Sequence, residues 1–513
     1  MKRIYQWFDA RLGISDTLMP MLRHPVPREI AGPMGWWYVF GSASLTLFLL
    51  QILTGIGLAL TYVPSAGQAY ETLLYLNYQQ PWGWFLRSLH YWSGSAMVVM
   101  ALVHMTQVFL HASYKYPREL TWVVGVFLLL CTLGMAFTGQ VLRWDPDAYW
   151  GVGVGAAMAG RVPEAGPTLV DMLLGGPIIG ADTLNRFFAL HVFVIPGALI
   201  LLLAIHLWLV LKKGISVPPK PGAVVDPKTY DADYEEELRR GEPFLGEAML
   251  KDVFFSALVV VVVVTIAAIA GPKGPSGPPD PTLSGANPRP DWPFLWLFGL
   301  LSLSPPDLET FIILALPIVL VIGLFAVPFI SNRGERAPSR RPMSVLLVIV
   351  IYSVLGVLTY LGSTSPWSPV MTAWSGDAVP RDLIKSKDRQ LTPVELQGAV
   401  VFQNKQCRNC HALEGIGGKR GPDLTRVGRK LTREQLIDQV SNGTPGGGNM
   451  PAYGKQMKPA EMTALIDFLV SLRPAGAKPA QPPLGHESEG KGQKAEVQDT
   501  GHHEQASGAD ERR

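Results

Sequence analysis

Seven apolar stretches, each about twenty residues long, constrain this chain more than any other feature. They run approximately over 36–60, 87–110, 122–142, 187–211, 253–270, 308–330 and 343–361. At about 1.5 Å rise per residue each can cross a hydrocarbon core about 30 Å thick. In such a core every backbone N–H and C=O must be paired within the segment, and that leaves helices. Only 17% of the residues are charged, too few for a soluble chain of 513 residues. The expectation is an all-α protein whose bulk is a bundle of seven transmembrane helices. The first 35 residues are polar and amphipathic, and read as an arm on the membrane surface, not as a cleavable signal peptide.

Two of the spans carry histidines in pairs, His90 with His104 and His191 with His206. An ionisable group inside a membrane is costly and calls for a partner. Separations of 14 and 15 residues place the two members of a pair roughly 21 Å apart along a helix, within roughly 40 to 60° of the same face. If the two helices face each other, His90 meets His191 at one depth and His104 meets His206 at the other. That is the arrangement of two bis-imidazole haems stacked across the bilayer, and six-coordinate iron is suited to electron transfer. The first and third spans repeat the spacing with glycine: Gly41 and Gly55, then Gly125 and Gly139. Glycine would let a flat macrocycle approach the helix.

Lys and Arg set the orientation. The N-terminal arm carries Lys2, Arg3, Arg11, Arg23 and Arg28, and the connections on its side add Lys115, Arg118, Lys212, Lys213, Arg336 and Arg341, among others. The opposite side is sparse in both, so the N-terminus is expected in the cytoplasm and everything after residue 361 outside. Because topology accounts for the basic residues, the net charge of +3 gives no sign of a nucleic-acid partner.

Beyond a linker at 366–390 the composition changes, and a separate domain is expected over 391–474. Its mark is Cys407-Arg408-Asn409-Cys410-His411, two thiols spaced for thioethers to a haem with a histidine placed to ligate the iron. Helices are expected over 393–404 and 459–472, as in a small class I cytochrome c. Asn449-Met450-Pro451-Ala452-Tyr453 resembles the methionine loop of that family, which makes Met450 the expected sixth ligand and Met457 the alternative. The residues from 475 to 513, rich in Gly, Pro, Lys, Glu and Gln, are expected to be disordered, with His502 and His503 solvated. Covalent haem attachment takes place outside the cytoplasm, on the side where the charge count puts this domain. A bacterial cytoplasmic membrane with the domain in the periplasm follows.

Residues from about 5 to 219 resemble the cytochrome b family of quinol:cytochrome c oxidoreductases. Matching stretches are Arg87-Ser88-Leu89-His90, Arg118-Glu119-Leu120-Thr121-Trp122, Trp144-Asp145 with Tyr149-Trp150, and Gly214-Ile215-Ser216. The interval of 15 between His191 and His206, against 14 in the mitochondrial type, points to the cytochrome b6 branch. From about 226 to 361 the chain is similar to subunit IV, the three-helix partner that is a separate polypeptide in that branch. Domains follow at 1–35 (arm), 36–219 (four-helix di-haem part), 220–365 (subunit IV-like part), 366–390, 391–474 and 475–513.

The resemblance implies two non-covalent b haems besides the covalent c haem. It implies an outer site for quinol oxidation and an inner site for quinone reduction. The implied partners are a Rieske iron-sulfur protein, a cytochrome c or oxidase as electron acceptor, and a second copy of the complex. Electron bifurcation and proton translocation come with that reading. The family's Pro-Glu-Trp-Tyr element is matched by Pro290-Asp291-Trp292-Pro293, where aspartate keeps a carboxylate one methylene shorter. Asp291, Trp292, Pro290 and Tyr149 are thus the candidate quinol-site residues, with 145–150 and 169–174 as the other wall. Val39 stands where the branch has a cysteine, so no covalent extra haem is expected on the inner side. Candidates for the inner quinone site are Asp16, His24, His111 and Lys212, and Cys131 is expected to be a buried apolar residue. The rival reading is a di-haem anchor that relays electrons without bifurcation, which leaves the last three spans and the Pro-Asp-Trp element unexplained.

Overall fold

The computed structural model describes residues 2–13, 15–16, 18–176, 178–279, 289–364, 391–405, 407–414, 416–417, 421–443, 450, 452–455, 457–474 and 480. The linker at 366–390, Asn449, Pro451, His502, His503 and all of 475–513 except Ala480 lie outside them.

The chain opens with the arm helix α1 (Lys2–Leu12) and enters the membrane in α2 (Phe40–Ala59). A short α3 (Ala69–Tyr78) precedes two long helices, α4 (Gly83–Leu110) and α5 (Glu119–Val141). Two helices then cap the end of the bundle nearer His90 and His191, which the expected orientation makes the outer end, α6 (Pro146–Ala159) and α7 (Gly166–Leu174), before α8 (Ala181–Lys213). An acidic α9 (Tyr230–Arg239) leads to α10 (Glu247–Ala270). The short apolar α11 (Leu295–Leu303) is followed by α12 (Pro306–Ile330) and α13 (Pro342–Thr364). Seven of these, α2, α4, α5, α8, α10, α12 and α13, are long and apolar enough to cross a membrane. The all-α expectation holds, with 71% of the structure helical and only three two-residue strand pairs among the described residues. This is a multi-pass membrane protein.

Several span boundaries differ from expectation, the second, third and fifth spans beginning earlier, at Gly83, Glu119 and Glu247. The first span starts at Phe40, since Pro33 opens a tight 3-10 turn over Pro33–Trp37. Proline has no N–H to offer a helix, and Gly35 lies too close to the Ile30 carbonyl to carry a side chain. The fourth span begins at Ala181, six residues earlier than hydropathy placed it. Asp182 and Arg186 interrupt the apolar run there without interrupting the backbone ladder.

Within the bundle α2 packs on α4, α8 on α5, α10 on α4 and α2, and α12 on α5. The two histidine-bearing helices, α4 and α8, make no comparable backbone contact with each other. Lipid offers no hydrophobic gain for helix association, so small residues that admit close approach decide which helices pair. Gly299 on α11 abuts the Leu358 carbonyl of α13, and Gly362 on α13 abuts the Leu295 carbonyl of α11, a reciprocal contact with no room for either Cβ.

In the second domain α14 (Pro393–Asn404) lies where it was expected, and α16 (Pro459–Ser471) ends one residue early. They cross at Gly398, which meets the Ala464 carbonyl, and at Phe402 and Phe468, whose rings are 5.6 Å apart. A third helix, α15 (Arg433–Asn442), was not anticipated, though its capping box of Thr432 and Gln435 is visible in the sequence.

A Gly362→Leu substitution should force α11 and α13 apart and cost about 1–3 kcal/mol or more. The expected readout is a lowered melting temperature of the detergent-purified protein, with the haem spectra intact.

Candidate electron-transfer and quinol sites

His90 on α4 and His191 on α8 face each other with ring centroids 6.3 Å apart. Two imidazoles bound to one metal at about 2 Å each would hold their centroids about 6 Å apart, so the spacing fits a shared iron. His104 and His206 stand at the second depth, and the Nδ1 of His104 is buried without a hydrogen-bond partner among the described residues. The gap between α4 and α8 is therefore lined by imidazole at both levels.

The glycines serve these rings in a more specific way than expected. A Cβ on Gly55 would meet His90 Cε1 at 3.3 Å, and one on Gly41 would meet His104 Cε1 at 3.3 Å. Across the bundle, a Cβ on Gly125 or Gly139 would stand 3.6 Å or 2.7 Å from the Cε1 atoms of His206 and His191 respectively. Each glycine makes room for one imidazole edge, where the sequence had suggested room for the macrocycle.

Two threonines that sequence reasoning missed orient the outer pair. Thr54 Oγ1 lies 2.8 Å from His90 Nδ1 and donates its proton to the Leu50 carbonyl at 2.7 Å. Thr138 does the same between His191 Nδ1 (3.0 Å) and the Gly134 carbonyl (2.8 Å). A hydroxyl has one proton, so each must accept from Nδ1–H, which leaves Nε2 as the bare lone pair a metal requires. The signal was present as Thr54-Gly55 and Thr138-Gly139, the same dipeptide on both neighbouring spans.

The unequal histidine intervals have a local cause. Residues Leu190–Val194 form a π turn in which the Ile195 N–H reaches back to the Leu190 carbonyl. A π turn holds one extra residue, so 15 residues on α8 span the rotation that 14 span on α4. Pro196 follows directly and has no N–H with which to restore the α pattern. Deleting Val192 should relax this turn to α and leave both b-haem spectra in place. Deleting Leu202 instead, below the turn, should rotate His206 away and abolish only the inner haem's spectrum.

In the second domain the 3-10 turn Cys407–Asn409 brings the His411 N–H to the Cys407 carbonyl (3.0 Å). His411 Nδ1 donates to the Pro422 carbonyl at 2.8 Å, so Nε2 is again the free lone pair. Burial pulls this imidazole below its ordinary range, which keeps it neutral. Met450 is half-buried at the edge of the core, whereas Met457 is buried within it. A Met450→Leu protein should bind an exogenous sixth ligand such as cyanide at its c haem. Met457→Leu should affect only the domain's thermal stability.

At the outer end Asp291 is buried, and its N–H donates to Gln140 Oε1 at the end of α5 (3.1 Å). Trp292 donates its indole N–H to Ser95 Oγ on α4 (3.3 Å), and Pro290 leads into this turn. Tyr149, on α6, packs between the rings of Trp144 and Trp150. The Asp291 carboxylate is ion-paired with Lys273, a residue sequence reasoning did not single out. Arg143, Asp145 and Asp147 complete the charged cluster, with Arg143 Nη2 at 3.6 Å and 3.8 Å from the two carboxylates. Burial and the neighbouring Asp145 push the Asp147 carboxyl above its ordinary range.

At the inner end the structure separates the four candidates. Asp16 and Lys212 are exposed, and His24 is bonded to its neighbouring Pro25 carbonyl. His111 is buried against Trp37 and Tyr38 with Gln107 on its Nδ1 (3.0 Å). Burial, with Arg336 nearby, pulls its imidazole down to about 4, so it is neutral. Asp252, a carboxylate within α10 that lies by Ser42 of α2, was missed although its place in an apolar run marks it. Cys131 is half-buried and not fully so, because at mid-span the uncovered part of a helix faces lipid.

The family described as Cytochrome b/b6/petB matches residues 26–214. Cytochrome b6 of Auxenochlorella protothecoides is 37% identical over 218 residues, 42% of this chain and all of that protein. This chain belongs to the cytochrome b/b6 family. Further relatives of this family member include the menaquinol:cytochrome c reductase cytochrome b subunit of Geobacillus thermodenitrificans, 37% identical over 42% of this chain and 99% of that protein. The cytochrome bc complex cytochrome b subunit of Chlorobaculum thiosulfatiphilum is 40% identical over 41% of this chain and 49% of its own length. Cytochrome b(C-terminal)/b6/petD matches residues 278–377, and Cytochrome C oxidase, cbb3-type, subunit III matches 394–469. A chain of a hyperthermophilic respiratory Complex III superposes with a TM-score of 0.57 at 25% identity, covering 70% of this chain and 91% of that one. Membership of the cytochrome b/b6 family implies haem b, and the cytochrome c domain implies haem c. The four facing imidazoles, their glycine seats and the Cys407-to-His411 turn fit those groups.

Proposed function

We propose that this chain is the cytochrome b and cytochrome c subunit of a bc-type quinol:cytochrome c oxidoreductase. In this reading quinol is oxidised at the outer face by bifurcation, one electron going to a Rieske partner and the c domain and one inward across the membrane, with proton translocation. Support comes from the relatives' names, two of which specify a cytochrome bc complex or a menaquinol:cytochrome c reductase. The observation that carries the reading is the position of Asp291, a buried carboxylate anchored through Gln140 and Trp292 to the outer ends of α5 and α4, next to the helices that bear His90 and Thr138.

His90 with His191 and His104 with His206 would hold two b haems, and Cys407, Cys410, His411 and Met450 one c haem. Bound there, these haems supply one-electron chemistry at six-coordinate iron. The protein's own contribution is placement. Thr54 and Thr138 hold the outer imidazoles in the ligating tautomer, and Asp291 accepts a quinol proton. Tyr149 and Trp292 furnish aromatic walls for an apolar head group. At the inner face the neutral His111 can hydrogen-bond a quinone oxygen, and the half-buried Asp252 is the group suited to deliver a proton to it. The N-terminus lies in the cytoplasm of a bacterial cell and the c domain in the periplasm, with the complex a homodimer.

The complex purified from its native membrane should reduce cytochrome c with quinol. Asp291→Asn should lower that rate by about 10²-fold or more while both b-haem spectra persist. Parental turnover in Asp291→Asn would remove this carboxylate from the reaction.

A further inference from the structure

The end of α10 and the loop that follows it are fastened to α4 by three α4 side chains, Ser88 holding the last turn of α10 and Trp92 and Arg87 holding the loop. Ser88 Oγ donates to the Ala267 carbonyl (2.7 Å) and the Trp92 indole donates to the Gly271 carbonyl (3.0 Å). Arg87, itself buried, donates to the carbonyls of Lys273 and of Gly274, the latter at 2.7 Å. Its second partner for Nη1 is Asn77 Oδ1 at 2.8 Å. Gly274 sits at φ +57, and a Cβ there would stand 2.9 Å from Asp145 Oδ2. Residues 271–274 thus form a strap pressed between α4 and the start of α6.

From this strap the Lys273 side chain reaches Asp291. Lys273 keeps 43% of its side-chain surface exposed and Asp291 only 11%, so the ammonium lies on the water side of the carboxylate. Tyr91 from α4, Arg143, and Asp145 and Asp147 at the start of α6 are the other ionisable groups that interact at this corner. Among the described contacts only Lys273 donates a hydrogen bond to the Asp291 carboxylate.

We propose that Lys273 is a positioning residue of the outer quinol site, holding the Asp291 carboxylate in a fixed, charged, proton-accepting geometry and yielding it on the water side when the proton leaves. The proposal rests on the reading of Asp291 as the quinol's proton acceptor. The step is a proton transfer. The quinol O–H bond breaks, a carboxyl O–H forms on Asp291, and the ion pair opens. The carboxyl then gives the proton to outside water and the ion pair closes again. The quinol's electrons leave by the two routes already named. Since Arg87 fixes the strap to the helix that presents His90 three residues later, carboxylate and haem ligand keep a constant relation throughout.

The test uses the intact complex in its native membrane, with Lys273→Gln, Lys273→Arg and Asp291→Asn. In Lys273→Gln, kcat for quinol-dependent cytochrome c reduction should fall about tenfold while KM changes little, as expected for a group that acts after binding. Lys273→Arg should recover most of the rate, and the b-haem spectra should match the parent in all three. Independently of turnover, amine-reactive labelling of Lys273, read by mass spectrometry, should rise several-fold in Asp291→Asn as the ammonium is released. If Lys273→Gln keeps the parental rate while Asp291→Asn is inactive, the role of Lys273 is wrong and the quinol site stands. If Asp291→Asn turns over normally, the proposal falls with the reading beneath it. Loss of b haem from both Lys273 variants would make the residue merely structural and overturn the proposal too.

Discussion

Everything else in the membrane part depends on two helices that meet through their imidazoles and not through close backbone packing. α4 and α8 each carry an imidazole at two depths, and the remaining helices hold the pair at a distance set by those rings. Inside a bilayer an imidazole needs a partner for both nitrogens. The outer pair meets half of that need with Thr54 and Thr138 and turns Nε2 towards the gap. The flanking helices α2 and α5 contribute through what they lack. A methyl group at Gly139 would displace His191, and α5 can pack beside α8 only because none is there.

The outer face is built on the same frame. The loop after α10, the turn at Asp291 and the Asp145 cap of α6 converge on the ends of α4 and α5. Their charges, Arg87, Arg143, Lys273 and Arg289 against Asp145, Asp147 and Asp291, are paired within a few side chains. Buried or half-buried ions are tolerable when paired and hydrogen-bonded, and costly otherwise. The cytochrome c domain is independent of this arrangement in its local physics, with its own core around Phe402 and Phe468.

Much of this was legible in the sequence. All seven spans were placed, because twenty apolar residues in a row have few alternatives to a helix. The histidine pairs, the glycine echoes and the Cys407-to-His411 turn were evident because their spacing is periodic or local. What escaped notice was short or distant. α3, α6 and α11 cap the bundle without a repeating pattern. Lys273 is one lysine in a Gly- and Pro-rich loop, and nothing around it announces a partner 18 residues later. The extra residue between His191 and His206 was visible as a number, yet the π turn that absorbs it was not. Backbone hydrogen bonding with Pro196 beside it decides that.

The sequence by itself determined the class of structure and marked the two levels of paired histidines and the Cys407-to-His411 turn, since each follows from composition or from spacing along one segment. Only the tertiary structure decided which glycine seats which imidazole, which proton each Nδ1 holds, and which cation holds Asp291. Those relations join residues on different helices, and a one-dimensional pattern carries no information about the distance between them until the helices have packed.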